Sequence, residues 1–140
     1  MFKTRTTIPF HLVDPAGIVF FGHAFTMAHQ AFEDLLRHHQ VDWQDWFEHP
    51  ELGTPFREAR AQYFRPLRGG ETYEIQVSVT SMEECAFGLR FEFRQGEQVF
   101  CRVETQQVSV RGDLSLGQKP VRAPLSARTR EIFGAHLVSS

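Results

Sequence analysis

Cysteine is scarce in this sequence, with Cys85 and Cys101 the only two among 140 residues. They do not form a CxxC pair, which argues against a zinc site or a dithiol redox motif; free thiols in a reducing compartment are the expectation. Long apolar runs are missing too. No stretch approaches the length of a membrane span, and Met1-Phe2-Lys3-Thr4-Arg5 does not lead into the apolar core of a signal peptide. A cytoplasmic protein with no membrane contact is therefore expected. Strong charge of one sign is also lacking. The net charge of −2 gives no support for a nucleic-acid partner. There is no GxGxxG and no P-loop for dinucleotide or ATP chemistry, and neither Ser109 nor Ser115 sits in a GxSxG elbow. Seven His residues form no HxxxH or HExxH pair, so no metal is expected. No repeat, linker or low-complexity tract divides the chain, and residues 1–140 read as one domain.

Phenylalanine is abundant, at 14 residues, and hydrophobic residues make up 41%, enough for a folded core without disulfides. Charge is local rather than global. Six acids and one Arg lie between Gln30 and Glu51, four Arg and one Glu between Arg57 and Arg68, and four cations between Lys119 and Arg130. Basic patches on a nearly neutral chain suit a small anionic ligand better than a polymer.

The segment from Phe2 to Val13 reads as a first strand. Asp14-Pro15-Ala16-Gly17 then signals a turn, since Pro fixes its own φ and Gly accepts a positive one. Phe21, Ala24, Phe25, Ala28, Phe32, Leu35 and Leu36 follow at spacings of three and four and predict a helix ending near His38-His39. A short helical turn from Trp43 to Phe47 fits the pattern before Pro50 and Gly53. Beyond Pro55 the period becomes two. Phe56 to Phe64 suits a strand, and Tyr73–Val79, Phe87–Phe93 and Val99–Val103 alternate apolar with polar residues. Gly69-Gly70 and Gln95-Gly96 supply reversals, and the tail after Pro124 suits a short helix. The expected fold is α+β: an antiparallel sheet of about five strands against one long helix. One helix cannot cover both faces of such a sheet, so a homodimer or homotetramer is expected.

The run Asp14-Pro15-Ala16-Gly17-Ile18-Val19-Phe20-Phe21 resembles the signature of the 4-hydroxybenzoyl-CoA thioesterase family. Gly53-Thr54-Pro55, Phe64-Arg65-Pro66 and Gly70 extend the resemblance along almost the whole chain. It implies a hotdog fold, in which the sheet wraps the central helix and active sites lie where two subunits pair. It also implies hydrolysis of an acyl-CoA, with coenzyme A entering as part of the substrate and no separate cofactor. Asp14 stands just before the expected helix, whose start offers unpaired N–H groups and partial positive charge to a developing oxyanion. By resemblance, Asp14 is nucleophile or general base, and the backbone N–H of Phe21 polarises the thioester carbonyl with Gly17 in the same motif. Relatives often carry Tyr or His where Phe21 stands, so a side-chain role at that position is lost while the backbone role survives. His23 lies nearby but out of register. Phe20, Phe21 and Phe25 suit a flat ring, which favours hydroxybenzoyl or naphthoyl substrates. Phe20, His23, Phe25, Thr54, Arg57 and Arg90 are the candidate substrate contacts. Arg60, Arg65, Arg68, Arg94, Arg122 and Arg128 join Arg57 and Arg90 as eligible partners for CoA phosphates.

Each residue also has a plainer role. Asp before Pro and Gly is a common turn or cap residue, and any single Arg is more often part of a solvated strand face. Two rival functions stay open: a hydratase or dehydratase on the same fold, for which His23 is the nearby candidate, and a non-catalytic acyl-CoA binding module.

Overall fold

The computed structural model describes residues 1–42, 44, 46 and 52–138. The anticipated turn from Trp43 to Phe47 lies largely outside them. The chain begins with β1 (Phe2–Thr7), a one-turn 3-10 segment (Phe10–Leu12) and α1 (His23–His38). It continues through β2 (Leu52–Gly53), β3 (Phe56–Tyr63), β4 (Thr72–Met82), β5 (Ala86–Gln95), β6 (Gln98–Val108), β7 (Val110–Arg111) and β8 (Val121–Arg122), and closes with α2 (Ala127–Gly134). Five strands form one antiparallel sheet in the order β1-β4-β5-β6-β3, and β2-β7-β8 form a second, small one. The small sheet was not legible from periodicity, because strands of two residues show no alternation.

The first strand is shorter than expected. Its ladder with β4 stops at Thr7↔Thr72, just before Pro9, which has no N–H to donate. His11, expected on a strand, is therefore in the 3-10 turn and exposed.

The central helix matches its expected end but starts at His23 rather than Phe21. Its buried face is Ala24, Met27, Ala28, Ala31, Phe32, Leu35 and Leu36, packed on β1, β4 and β6. Phe21 falls in the turn before the helix and is 66% exposed. The inward faces of the strands supply the rest of the core: Tyr73, Ile75, Val77 and Val79 from β4, Leu89, Phe91 and Phe93 from β5, and Cys101 and Val103 from β6. The β5–β6 reversal is a two-residue hairpin closed by the Gln95↔Gln98 pair, with Gly96 at φ +60°.

α2 is capped by Ser126, whose hydroxyl oxygen accepts from the Thr129 N–H at 3.1 Å. Phe133 stacks between Phe87 and Phe32, with ring centroids at 4.5 Å and 5.8 Å. Full burial of such a ring contributes ~2–3 kcal/mol. The sheet edge formed by β3 is otherwise open, with seven of its eight residues exposed, Phe56 and Tyr63 among them.

Candidate active site

Asp14 begins a tight loop that the chain closes with its own backbone. Its N–H donates to the Ile18 carbonyl at 2.8 Å, its carbonyl accepts from the Gly17 N–H at 2.9 Å, and its Oδ1 accepts from the Ala16 N–H at 2.8 Å. Gly17 adopts φ +78°, a left-handed conformation that suits glycine, and its carbonyl accepts from the Gly69 N–H. Asp14 is thus a turn residue by one oxygen. Its second oxygen takes no hydrogen bond among the described residues.

The loop leads into the first turn of α1. The Phe20 N–H donates to the Leu12 carbonyl and the His23 N–H to the Phe20 carbonyl. Among the described residues the Phe21 and Gly22 N–H groups find no acceptor, and the Gly22 cap supplies no side chain. Such orphan donors at a helix start attract negative charge. From the far side the Tyr63 hydroxyl donates to the Phe21 carbonyl, tying the end of β3 to this turn. Burial, and Cys101 nearby, raise the Tyr63 phenol above its ordinary range, which keeps it the donor.

Asp14, Phe20, Phe21, Tyr63, Phe64 and Arg65 share one cleft of about 530 Å³ with Ile18, Val19, Pro66 and Leu67. A carboxylate, the residue with the orphan Phe21 amide, an aromatic wall and a cation therefore meet there. The cleft can take a carbonyl oxygen at that amide and present the carbon beside it to the carboxylate or a water.

A second cleft of about 460 Å³ opens further along the seam between α1 and β3. Its lining includes Phe25, Phe32, Phe56, Phe91, Thr105 and Gln107. His29 lies at its wall, stacked on Phe32 and edge-on to Phe56.

The remaining anticipated contacts are dispersed. Phe20 lies against Phe21 and His23, with centroids at 4.7 Å and 5.7 Å. Half-buried Thr54 offers its carbonyl to the Gln107 side chain at 3.0 Å. Arg57 is exposed on β3 and lines neither of the two clefts. Arg90 lies on the outer face of the sheet, 3.7 Å from Glu104, which also pairs with Arg60 at 3.2 Å. Arg94 and Arg102 both engage Glu92 at 2.8 Å on that face. Of the eight eligible arginines, only Arg65 lines the Asp14 cleft.

Tyr63, Thr105 and Gln107 were not anticipated. Thr105 and Gln107 had a readable signal. They continue the inward series Cys101-Val103 of β6, and a polar side chain at an inward position breaks the binary pattern, as functional sites do. Tyr63 had none, because an edge-strand Tyr reads the same with or without a partner.

Among the described residues no cluster of three His, Cys, Asp or Glu side chains is arranged to hold a metal. Among them, too, no helix is long and apolar enough to cross a membrane.

Comparison with known proteins gives the chain its family and fold. Residues 8–130 match the family described as the thioesterase-like superfamily. A 1,4-dihydroxy-2-naphthoyl-CoA hydrolase from Microcystis aeruginosa is 30% identical over 97 residues, covering 69% of this chain and 70% of that one. The enzyme of the same name from Prochlorococcus marinus is 32% identical over 103 residues, covering 68% and 66%. The crystal structure of a 1,4-dihydroxy-2-naphthoyl-CoA thioesterase from Synechocystis superposes with a TM-score of 0.84 at 21% identity, covering 95% of each chain. A gentisyl-coenzyme A thioesterase superposes at 0.74 and 20% identity, covering 94% of this chain and 98% of that one.

Proposed function

The chain belongs to the thioesterase-like superfamily and has its hotdog fold, and from that premise we propose that it hydrolyses the thioester of an aromatic acyl-CoA. The observation that carries this reading is the pairing, in one cleft, of the half-buried Asp14 carboxylate with Phe21, whose amide is unpaired among the described residues. The thioester oxygen lies at that amide, which stabilises the negative charge that grows as the carbonyl is attacked. The free Asp14 oxygen either attacks the carbonyl carbon, giving a mixed anhydride that water opens, or takes a proton from the attacking water. Both routes release a carboxylate and the thiol of coenzyme A. Coenzyme A enters with the substrate, and no further cofactor has a part.

The acyl group belongs to the hydroxybenzoyl or naphthoyl class of the 4-hydroxybenzoyl-CoA thioesterase type. The naphthoyl end is favoured by the names of the relatives, and Phe20 and Phe21 provide a flat wall beside the thioester. Arg65 is the cation in the lining of the Asp14 cleft and receives the CoA moiety. The open β3 edge, with Phe56, Tyr63 and Phe64 about half exposed, supports pairing of two copies as a homodimer. The cytoplasm is the compartment that suits a CoA substrate and two free thiols.

The test is release of free thiol from aromatic and aliphatic acyl-CoAs by the wild type and by Asp14→Asn. The amide oxygen of Asn still accepts from the Ala16 N–H, so the turn and the melting temperature stay close to wild type. Loss of the carboxylate lowers kcat by about 10²–10⁴. Full turnover in the folded variant would refute the role of Asp14.

A further inference from the structure

The Asp14 loop is gripped by a second piece of chain, remote in sequence. Residues 67–69 run antiparallel beside residues 17–19. The Val19 N–H donates to the Leu67 carbonyl at 2.8 Å, the Gly69 N–H donates to the Gly17 carbonyl at 2.9 Å, and Ile18 and Arg68 form the bridge between them. Residues 18 and 19 also pair with the stretch that carries the acid, through the Val13↔Val19 bridge and the Asp14 N–H bond to the Ile18 carbonyl. The gripping segment is itself fixed to the core. The Arg68 N–H donates at 3.0 Å to the hydroxyl of Tyr73, which is 1% exposed, and the Gly70 N–H donates to the Ile8 carbonyl at 3.0 Å. Just upstream, Phe64, Arg65, Pro66 and Leu67 help line the Asp14 cleft. One segment therefore lines the cleft and holds the loop of its acid.

Gly69 is where the two pieces come closest. A Cβ there would lie 3.0 Å from Val13 Cγ1 and 3.7 Å from Val13 Cγ2, whereas carbon atoms in contact rest at ~3.5–4.0 Å. Gly70 beside it holds φ +81°, but Gly69 has no positive φ. What the site uses at position 69 is thus the missing methyl, not a left-handed backbone. Val13 has little room to yield. It is β-branched, extended at φ −99° and ψ 151°, and packed against the core. A push on it passes to the next residue, Asp14.

We propose that Gly69 and Tyr73 are positioning residues for the reaction. The bare face of Gly69 lets the Asp14 loop close against residues 67–69, and the Tyr73 hydroxyl holds that segment in place. Together they set how far the Asp14 carboxylate stands from the thioester carbon. Neither lines the cleft; both act through the loop. The proposal rests on the thioesterase reading for its reaction, while the packing of the loop is independent of it.

The experiment measures kcat and KM for thiol release from naphthoyl-CoA. The proteins are the wild type, Gly69→Ala, Val13→Ala, the two changes combined, and Tyr73→Phe, with circular dichroism checking each fold. Misplacing a reacting group by about 1 Å costs on the order of 10²-fold. A shift of a few tenths of that therefore lowers kcat in Gly69→Ala by about three- to tenfold, with KM within about twofold. In the Val13→Ala background the two crowding methyls are gone and the Gly17 oxygen remains, at 3.6 Å. Adding Gly69→Ala there changes kcat by less than about twofold. Tyr73→Phe leaves the Arg68 N–H without its acceptor and lowers kcat by about threefold at constant KM. A loss of stability alone gives neither the split between kcat and KM nor the relief by Val13→Ala. An unchanged kcat in Gly69→Ala, or the same loss in both backgrounds, overturns the proposal. Where Gly69→Ala does not fold, Tyr73→Phe is read in its place, and full turnover in it overturns the proposal. If the wild type releases no thiol from any acyl-CoA, the thioesterase reading fails and the packing is read from the Ala16 amide resonance, which reports the bond to Asp14 Oδ1. A shift caused by Gly69→Ala and absent in the Val13→Ala background upholds the grip on the loop, and no shift overturns it.

Discussion

His39 and His136 face each other with their Nε2 atoms 2.8 Å apart, joining the C-terminal end of α1 to the segment after α2. That contact needs a donor on one ring and a lone pair on the other, so at least one imidazole is neutral. The strand-like tail holding His136 is pinned to β4, with the Val79 N–H donating to the His136 carbonyl and the Val138 N–H to the Val79 carbonyl.

Burial lowers the affinity of both rings for protons. His38 lowers it further at His39, while Glu131 opposes; the N-terminal amine, His39 and His38 lower it further at His136, while a backbone bond to Met1 opposes. A histidine held below its ordinary value contributes stability above about pH 6.5, and the contribution is lost as pH falls from there toward the folded value. The melting temperature of the wild type is expected to drop by several degrees between pH 7.5 and pH 5, and that of His136→Gln by less over the same interval. Parallel profiles from differential scanning fluorimetry would count against the pair as the source.

The Tyr63–Phe21 bond makes a different prediction. Tyr63 touches the carbonyl of Phe21, whose N–H is the proposed oxyanion donor, so it acts as a positioning residue in that proposal. Tyr63→Phe keeps the ring and loses the clasp. We expect kcat to fall about tenfold, equivalent to ~1.4 kcal/mol, with KM and melting temperature nearly unchanged. A rise in KM alone would point instead to a role in binding.

Glu92 sits on the outer face between two guanidiniums, with Arg102 donating through both Nε and Nη2 and Arg94 through Nη2. Burial pushes its carboxyl up, but the hydrogen bonds and charges of Arg94 and Arg102 outweigh it and leave the group below the usual carboxylate range. Its contribution is therefore present at neutral pH and is lost as pH falls through the folded value. Glu92→Gln is expected to cost about 1–3 kcal/mol at pH 7 in urea denaturation, and the gap to wild type should narrow as the pH approaches 3.

The parts of this molecule that were legible beforehand are those written in local pattern. The α1 stripe, the alternation of β4 and β5, and the Pro and Gly breaks between them located those elements to within a few residues, while β6 runs five residues beyond the alternation read at Val99–Val103. The errors were end effects. Pro9 cut β1 short because a proline cannot continue a ladder, and Phe21 dropped out of α1 because the helix began two residues later than its apolar spacing suggested. The arginines illustrate the opposite case. Eight looked equivalent along the chain, yet the alternation of β5 sends two of them, Arg90 and Arg94, to the outer face, where Glu104 and Glu92 engage them.

Order along the chain was enough to put an acid ahead of a helix start, because a turn signal and an apolar period are both properties of neighbouring residues. Which distant side chains join that acid was decided by the curl of the sheet around α1. Only there does the Tyr63 hydroxyl reach the Phe21 carbonyl, 42 positions away, and only there does the Thr54 carbonyl turn the Gln107 amide, 53 positions away. A polar residue becomes an unmet acceptor only when water has been excluded around it, and that exclusion is a property of packing rather than of any stretch of sequence.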